Sequence, residues 1–238
     1  AGRLLIAIHH LVVDGVSWRI LLEDLEQAYR QLKQGAAVAL ASKTASFKQW
    51  SEALAAYADS ATLARELAHW TEACDAHCVA IPTDYTDSAG NAKASARTHS
   101  VRLDRSDTQA LLQQVPSVYN TQINDVLLTA LAQTLMQWTE RAGMVIDLEG
   151  HGREDVGANL DTSRTVGWFT SLFPVKLTID TAEPGRALCA VKEQLRRIPG
   201  RGIGYGVLRY LSRDPAIRAG LAQAPRREIL FNYLGQFD

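Results

Sequence analysis

The chain opens with an abrupt change of hydrophobic period. Leu4-Leu5-Ile6-Ala7-Ile8 is a continuous apolar run of strand length, which predicts a fully buried strand. His9 and His10 stand at its end, and Asp14-Gly15 supplies a turn with an N-cap candidate. From Val16 onward the period becomes helical: Leu21, Leu25, Ala28, Tyr29 and Leu32 share one face, and Gly35 stops the helix. Residues 35–45 read as a loop. Ser46 with Gln49 three positions on forms a capping box, after which Phe47, Trp50, Leu54 and Tyr57 line a second helix. Leu63, Leu67, Trp70, Cys74 and Cys78 mark a third.

Periodicity then lapses. Residues 81–97 are polar and carry Pro82, Asp84, Asp87, Ser88, Gly90 and Asn91, so they read as a linker or surface loop. Thr98–Leu103 alternates like a half-exposed strand, and Asp104 or Ser106 caps a short helix over 106–115. Ile123, Val126, Leu127, Ala130, Leu131, Leu135 and Trp138 predict a long buried helix ended by Gly143. Met144–Leu148 reads as a strand that delivers Glu149 at its end, and 152–166 as polar loop. Phe173–Ile179 is a further strand, Pro184 starts a helix ending near Ile198, and a Gly-rich turn precedes a short helix over 205–212. Ile229–Leu234 is the last strand. Strands alternating with helices predict an α/β fold.

Composition narrows the function classes. The 238 residues are 47% apolar and 21% charged with a net charge of −1, an ordinary globular balance without the basic excess of a nucleic-acid binder. No apolar run is long enough to span a bilayer. Three cysteines, Cys74, Cys78 and Cys189, cannot complete a disulfide framework, which fits a reducing, cytoplasmic compartment. Cys74, His77 and Cys78 invite a metal reading, but the two thiols lie on the apolar stripe of their helix and no fourth ligand is evident, so no metal site is assigned. The run Gly200-x-Gly202-x-Gly204-x-Gly206 lacks the spacing of a dinucleotide fingerprint and follows a helix rather than a strand. Arg196, Arg197 and Arg201 flank that turn, either as a solvated basic helix end or as a contact for a phosphate or an acidic helix.

Two strand ends carry titratable groups. A histidine at such a place suits general base catalysis near neutral pH, although His9 and His10 alone read more readily as a structural pair. Glu149, taken alone, reads as a turn residue before Gly150. The motifs around them change that balance. His9-His10-Leu11-Val12-Val13-Asp14-Gly15 resembles the signature of the condensation-type acyltransferases of nonribosomal peptide synthesis, and the continuation Val16-Ser17-Trp18-Arg19 is similar to its epimerization branch. Four further stretches resemble the same branch in the same order: Glu149–Glu154, Arg164–Val175, Pro199–Gly206 and Phe231–Asp238.

The resemblance implies a two-lobed, chloramphenicol acetyltransferase-like α/β fold with a tunnel between the lobes. Residues 1–80 would be the remainder of the N-terminal lobe, 81–97 a linker and 98–238 the C-terminal lobe, the chain covering roughly the second half of the family's domain. Its start inside an apolar run, without Met, reads the same way; strand 3–8 would then lack sheet neighbours and expose an apolar edge. The implied activity is L-to-D inversion at the α-carbon of an aminoacyl or peptidyl thioester. The substrate would ride on the phosphopantetheine of a peptidyl carrier domain, with neighbouring synthetase domains as partners, no cofactor bound to the domain itself, and no nucleic acid or membrane. His10 and Glu149 are the implied catalytic pair, each filling the motif position that faces the tunnel. His9, Asp14 and His151 are supporting or structural: Asp14 suited to backbone N–H groups and an arginine, His151 to orienting the carboxylate or filling its loop. Asn232 and Tyr233, on opposite faces by strand alternation, offer a donor for the enolate oxygen or the pantetheine arm, Asn232 being the better placed. The alternatives are a condensation domain, which shares His10 and Asp14 without requiring Glu149, and a non-catalytic carrier-docking module.

Overall fold

The computed structural model describes residues 2–75, 81–84 and 92–235. Its helices are α1 (Gly15–Lys33), α2 (Phe47–Tyr57), α3 (Ala61–Asp75), α4 (Arg105–Gln109), α5 (Val115–Tyr119), α6 (Ile123–Thr139), α7 (Pro184–Arg196), α8 (Ile203–Leu211) and α9 (Pro215–Ala222). The strands β1 (Gly143–Gly150), β2 (Ser171–Thr178) and β3 (Leu230–Phe231) form one sheet in the order β2-β1-β3. The fold class is therefore the mixed α/β one expected. Among the described residues no helix is long and apolar enough to cross a membrane.

The chain forms two compact units, each assembled from three stretches of sequence. One consists of Ala1–Glu72, Leu148–Phe173 and Pro199–Ala224, the other of Ala73–Asp147, Pro174–Ile198 and Pro225–Asp238. The first holds α1, α2, most of α3, α8 and α9. Its core centres on Trp50, Val156, Phe169 and Ile203, with Leu54, Tyr57 and Leu160 packed against them. Trp70 is fully buried and meets the rings of Phe173 and Tyr205. The second unit buries Leu128, Ala132, Leu135 and Met136 of α6, Ala187, Leu188 and Val191 of α7, and the strand residues Val145, Ile146, Val175 and Leu177.

Local sequence signals set several boundaries as expected. Ser46 and Gln49 close a complete capping box at α2, and Asp14 caps α1 by accepting the Ser17 N–H. Pro184 occupies the first position of α7. Gly200 and Gly202 take left-handed conformations that turn the chain into α8, whereas Gly204 and Gly206 are helical. Arg197 caps the C-terminus of α7, and Arg196 in its last turn donates to the Asn120 carbonyl at 2.7 Å and pairs with Glu193, so these two serve the helix end.

Other expectations are corrected. Residues 3–8 are not a strand, since they make no ladder; the exposure expected of a run without sheet neighbours is there, Leu5 being 91% exposed. An apolar run of this length is buried only where a sheet neighbour exists, and none is present among the described residues. The same holds for Thr98–Leu103, which is outside any strand, with Val101 93% exposed. The α1 stripe is likewise open, Leu25, Tyr29 and Leu32 facing solvent while Ser17 and Ile20 are buried at the helix start. The helix expected over 106–115 runs on to Tyr119 through a π turn at Ala110–Gln114, which accommodates Pro116 where an α turn would clash. Glu140 in a left-handed conformation, not Gly143, ends α6, and Trp138 on it is exposed. The last strand shrinks from 229–234 to Leu230–Phe231. Helix α9 was not foreseen, although Asp214 followed by Pro215 is a start signal. Cys74 is buried; His77 and Cys78 lie outside the described residues, as does 85–91 of the expected linker.

One buried carboxylate organises the helices of the first unit. Glu66 on α3 accepts the Tyr57 hydroxyl and the Trp70 indole N–H, each at 3.0 Å, and lies against Gly204 at the start of α8. Burial, and then the Glu66 charge beside it, push the Tyr57 phenol up to about 12. Folding therefore favours the neutral phenol; the stability it contributes is complete below pH 10 and is lost as the pH rises toward 12. In an alkaline difference titration of wild type against Tyr57→Phe, the missing phenolate component should ionise near 12. Glu66→Gln should shift it downward but not to 10, because burial remains. A difference component at 10 would contradict this arrangement.

Candidate functional site

The expected catalytic and supporting residues of the first two motifs all belong to the first unit: His9, His10 and Asp14 at its start, Glu149 and His151 in Leu148–Phe173. After the apolar run the backbone tightens into one 3-10 turn, His10–Val12. The His9 Nδ1 accepts the Leu11 N–H at 3.1 Å, so this ring is fixed by its own turn. His10 is exposed, and its ring lies 5.2 Å from that of Trp168, tilted by 46°. Glu149 is the penultimate residue of β1 and half-buried.

Asp14 is 3% exposed and has a dense set of donors. Ser17 N–H reaches Oδ1 at 2.7 Å, Phe169 N–H reaches Oδ2 at 3.2 Å, and the Arg153 Nη2 donates to both oxygens at 3.1 and 3.3 Å. Burial alone would raise its pKa. The Ser17 hydrogen bonds, the Arg153 charge and the Phe169 N–H outweigh burial and hold the carboxyl below the ordinary aspartate value of 3.8.

Arg153 is the arginine that the sequence left unnumbered. Besides Asp14 it donates to the Ser17 hydroxyl at 3.1 Å and, through Nη1, to the carbonyls of Thr162 and Thr165 at 2.7 and 2.8 Å. Its guanidinium lies 3.9 Å from the Phe169 ring centroid, so its flat face is covered as well. A planar five-donor group suits this task where an ammonium would not. Arg164, further along the same loop, pairs with Glu23 at 3.1 Å and with Asp24, both on α1. The loop is thus bound to α1 and its cap at two points by two arginines.

The loop after Glu149 is shaped by its own members. Gly152 has φ +68, and a Cβ there would stand 1.7 Å from the Phe169 carbonyl oxygen, so only glycine fits. His151 accepts the Arg153 N–H on Nδ1 at 3.0 Å and meets Glu154 through Nε2 at 3.0 Å. These partners fix its tautomer with the proton on Nε2 and bind it to the loop. Glu154 also faces Arg201 at 3.8 Å. Asn232 and Tyr233 belong to the second unit, beyond the two-residue β3, so strand alternation does not set their directions; Asn232 is exposed and Tyr233 half-buried.

Sequence reasoning had no role for Ser17, Trp168, Arg164 or Glu66. The first three stood inside quoted motifs, and only the fold shows what they touch.

Comparisons with known proteins place the chain in a family. The chain is 54% identical over its full length to a protein of the linear gramicidin synthase of Brevibacillus parabrevis, of which it spans 3%. It is 46% identical over 99% of its length to surfactin synthase subunit 2 of Bacillus subtilis (strain 168), spanning 6%, and 44% identical over 99% to tyrocidine synthase 1 of Brevibacillus parabrevis, spanning 22%. Among solved structures, the epimerization domain from the third module of tyrocidine synthetase B matches 97% of this chain and 51% of that one, at 46% identity and a TM-score of 0.88. The first condensation domain of the calcium-dependent antibiotic synthetase, at 24% identity and a TM-score of 0.62, shares the fold over 79% of this chain and 41% of that one. The family model described as Condensation domain matches residues 1–238, the whole chain, and this chain belongs to the condensation-domain family.

Proposed function

We propose that the chain is part of an epimerization domain that inverts the α-carbon of an aminoacyl or peptidyl thioester carried on the phosphopantetheine of a peptidyl carrier domain. The likeness over 97% of the chain to a solved epimerization domain carries this reading. The stretch Glu149–Glu154 supports it, since peptide-bond formation does not call for the Glu149 carboxylate.

The chemistry assigns the roles. The α-proton of a thioester is weakly acidic, so a base must stand against it, and the enolate oxygen needs donors already in place. A proton must then return on the opposite face. His10 and Glu149 are the proposed acid/base pair, two titratable groups matching the two faces. The alternative role for His10 is a cation beside the enolate oxygen. Asp14, through Arg153, and His9, through its own turn, hold the frame; Asn232 or Tyr233 supplies a donor to the oxygen or to the pantetheine arm.

A second reading, condensation, has the family model and the shared His10–Asp14 motif in its favour. The test uses the synthetase protein containing this chain, with its phosphopantetheinylated carrier loaded with an L-aminoacyl or peptidyl thioester in deuterated water. Epimerization predicts α-deuterium uptake and a rising D/L ratio. Absence of exchange, with peptide formed once a second loaded carrier is added, would establish condensation; neither would leave a docking module.

A further inference from the structure

We propose that Trp168 is the positioning residue for His10, its ring held against the imidazole by the same residues that follow His10 in the histidine motif. The inference rests on the epimerase reading above and deepens it.

Trp168 sits between two backbone anchors. On one side Gly167 is held by Ser17, whose hydroxyl donates to the Gly167 carbonyl at 2.9 Å and accepts its N–H at 3.0 Å. On the other side the Phe169 N–H donates to Asp14. Side chains close the clamp. The Phe47 ring fills the space where a Cβ on Gly167 would stand, 2.2 Å away, and Phe169 is buried against Phe47, Trp50 and the Arg153 guanidinium. Residues 167 and 169 have little room to move, so the Cα–Cβ direction of Trp168 is set.

The ring so placed is not core. It is 41% exposed, yet it contacts the ring of His10, also exposed, at 5.2 Å. A half-exposed indole between two buried anchors gains little from burial; what it does contribute is a wall for the imidazole. His10 rides on a single 3-10 turn, and a histidine there samples several rotamers unless something limits it. Asp14 and Ser17 thus act on His10 through the indole beside it. Positioning of this kind acts on the reaction step: a base displaced by about 1 Å costs on the order of 10²-fold in rate.

The experiment measures α-deuterium uptake by the synthetase protein with its loaded carrier, comparing wild type with Trp168→Phe, Trp168→Ala and Ser17→Ala. In parallel, carbethoxylation of His10 by diethylpyrocarbonate is followed by peptide mass spectrometry, with His9 as internal reference. Trp168→Ala should lower kcat by on the order of 10–100-fold at nearly unchanged KM and speed His10 modification relative to His9. Trp168→Phe should restore most of the rate, and Ser17→Ala, which frees Gly167 without touching the indole, should shift both readouts in the alanine direction by less. Hydrogen exchange of the peptide spanning 160–172 reports whether the loop itself is intact. Wild-type kcat in Trp168→Ala, a change confined to KM, or His10 reactivity unaltered in both alanine variants would overturn the proposal. Absence of exchange in the wild type would instead defeat the epimerase reading on which it rests.

Discussion

Arg153→Met should open the motif loop by about 3–5 kcal/mol, the cost typical of removing one partner from a buried ion pair. Arg153 and Asp14 are 8% and 4% exposed at their side chains, so neither has water to fall back on. Without the guanidinium, Asp14 loses its countercharge and keeps Ser17 and the Phe169 N–H as neutral partners, and the Thr162 and Thr165 carbonyls lose their donor. At about 1.4 kcal/mol per factor of ten, hydrogen exchange of the peptide spanning 160–172 should accelerate by two to three and a half orders of magnitude. Peptides from the second unit should change far less, because every partner of Arg153 lies in the first. Asp14→Asn should cost less than Asp14→Ala, since asparagine still caps α1. The pH dependence has a definite sign. The Asp14 pKa is lowered by folding, so its contribution is present above 3.8 and fades as the pH falls through the lower folded value. Wild type should therefore lose protection on acidification below 3.8 more steeply than Asp14→Asn. Exchange in Arg153→Met equal to that of wild type would show that the loop does not depend on this pair.

The same pair marks where a sequence stops being readable. Features carried by neighbours a few residues apart were legible: the Ser46–Gln49 capping box, the Asp14 cap, the Pro184 start of α7, and the strand that brings Glu149 to its end. Their physics is local, a side chain answering a backbone N–H three positions on. That Asp14 wanted an arginine was legible too. Which arginine was not, because the two lie 139 positions apart and nothing in either segment encodes the other. The motif resemblance ordered the segments without showing that Ser17, Gly167 and Phe169 interlock.

The apolar runs failed for the opposite reason. Leu4–Ile8 and Thr98–Leu103 carry strand patterns, and a pattern reports only which side chains prefer burial. Burial itself requires a partner surface, which these segments lack among the described residues. The π turn before Pro116 is a third kind of case. A proline predicts that regular α-helix stops, but here one widened turn absorbs the ring and the helix continues to Tyr119.

Glu149→Gln should reduce inversion by about 10²–10⁴-fold, the range a positioned proton donor or acceptor contributes. Glutamine keeps the length and the hydrogen-bonding oxygen, so β1 and the Gly152 turn after it remain, and what is lost is the group proposed to take or return a proton. His10→Ala should fall in the same range. The two variants need not fail alike, and their difference carries the mechanism. If the two groups serve opposite faces of the α-carbon, removing the base on the L face abolishes deuterium uptake from an L-thioester altogether. Removing its counterpart leaves uptake with retention: the L face still exchanges, but no proton is delivered from the other side. Running both variants from L- and from D-thioesters therefore assigns the faces, the variant that exchanges without inverting having lost the group that returns the proton. Should His10 instead be the cation beside the enolate oxygen, His10→Ala would depress exchange equally from both enantiomers, and Glu149→Gln would do the same as the single base. Wild-type exchange and D/L ratio in Glu149→Gln would remove Glu149 from the reaction and, with it, the strongest chemical reason to place this chain among epimerases rather than condensation enzymes.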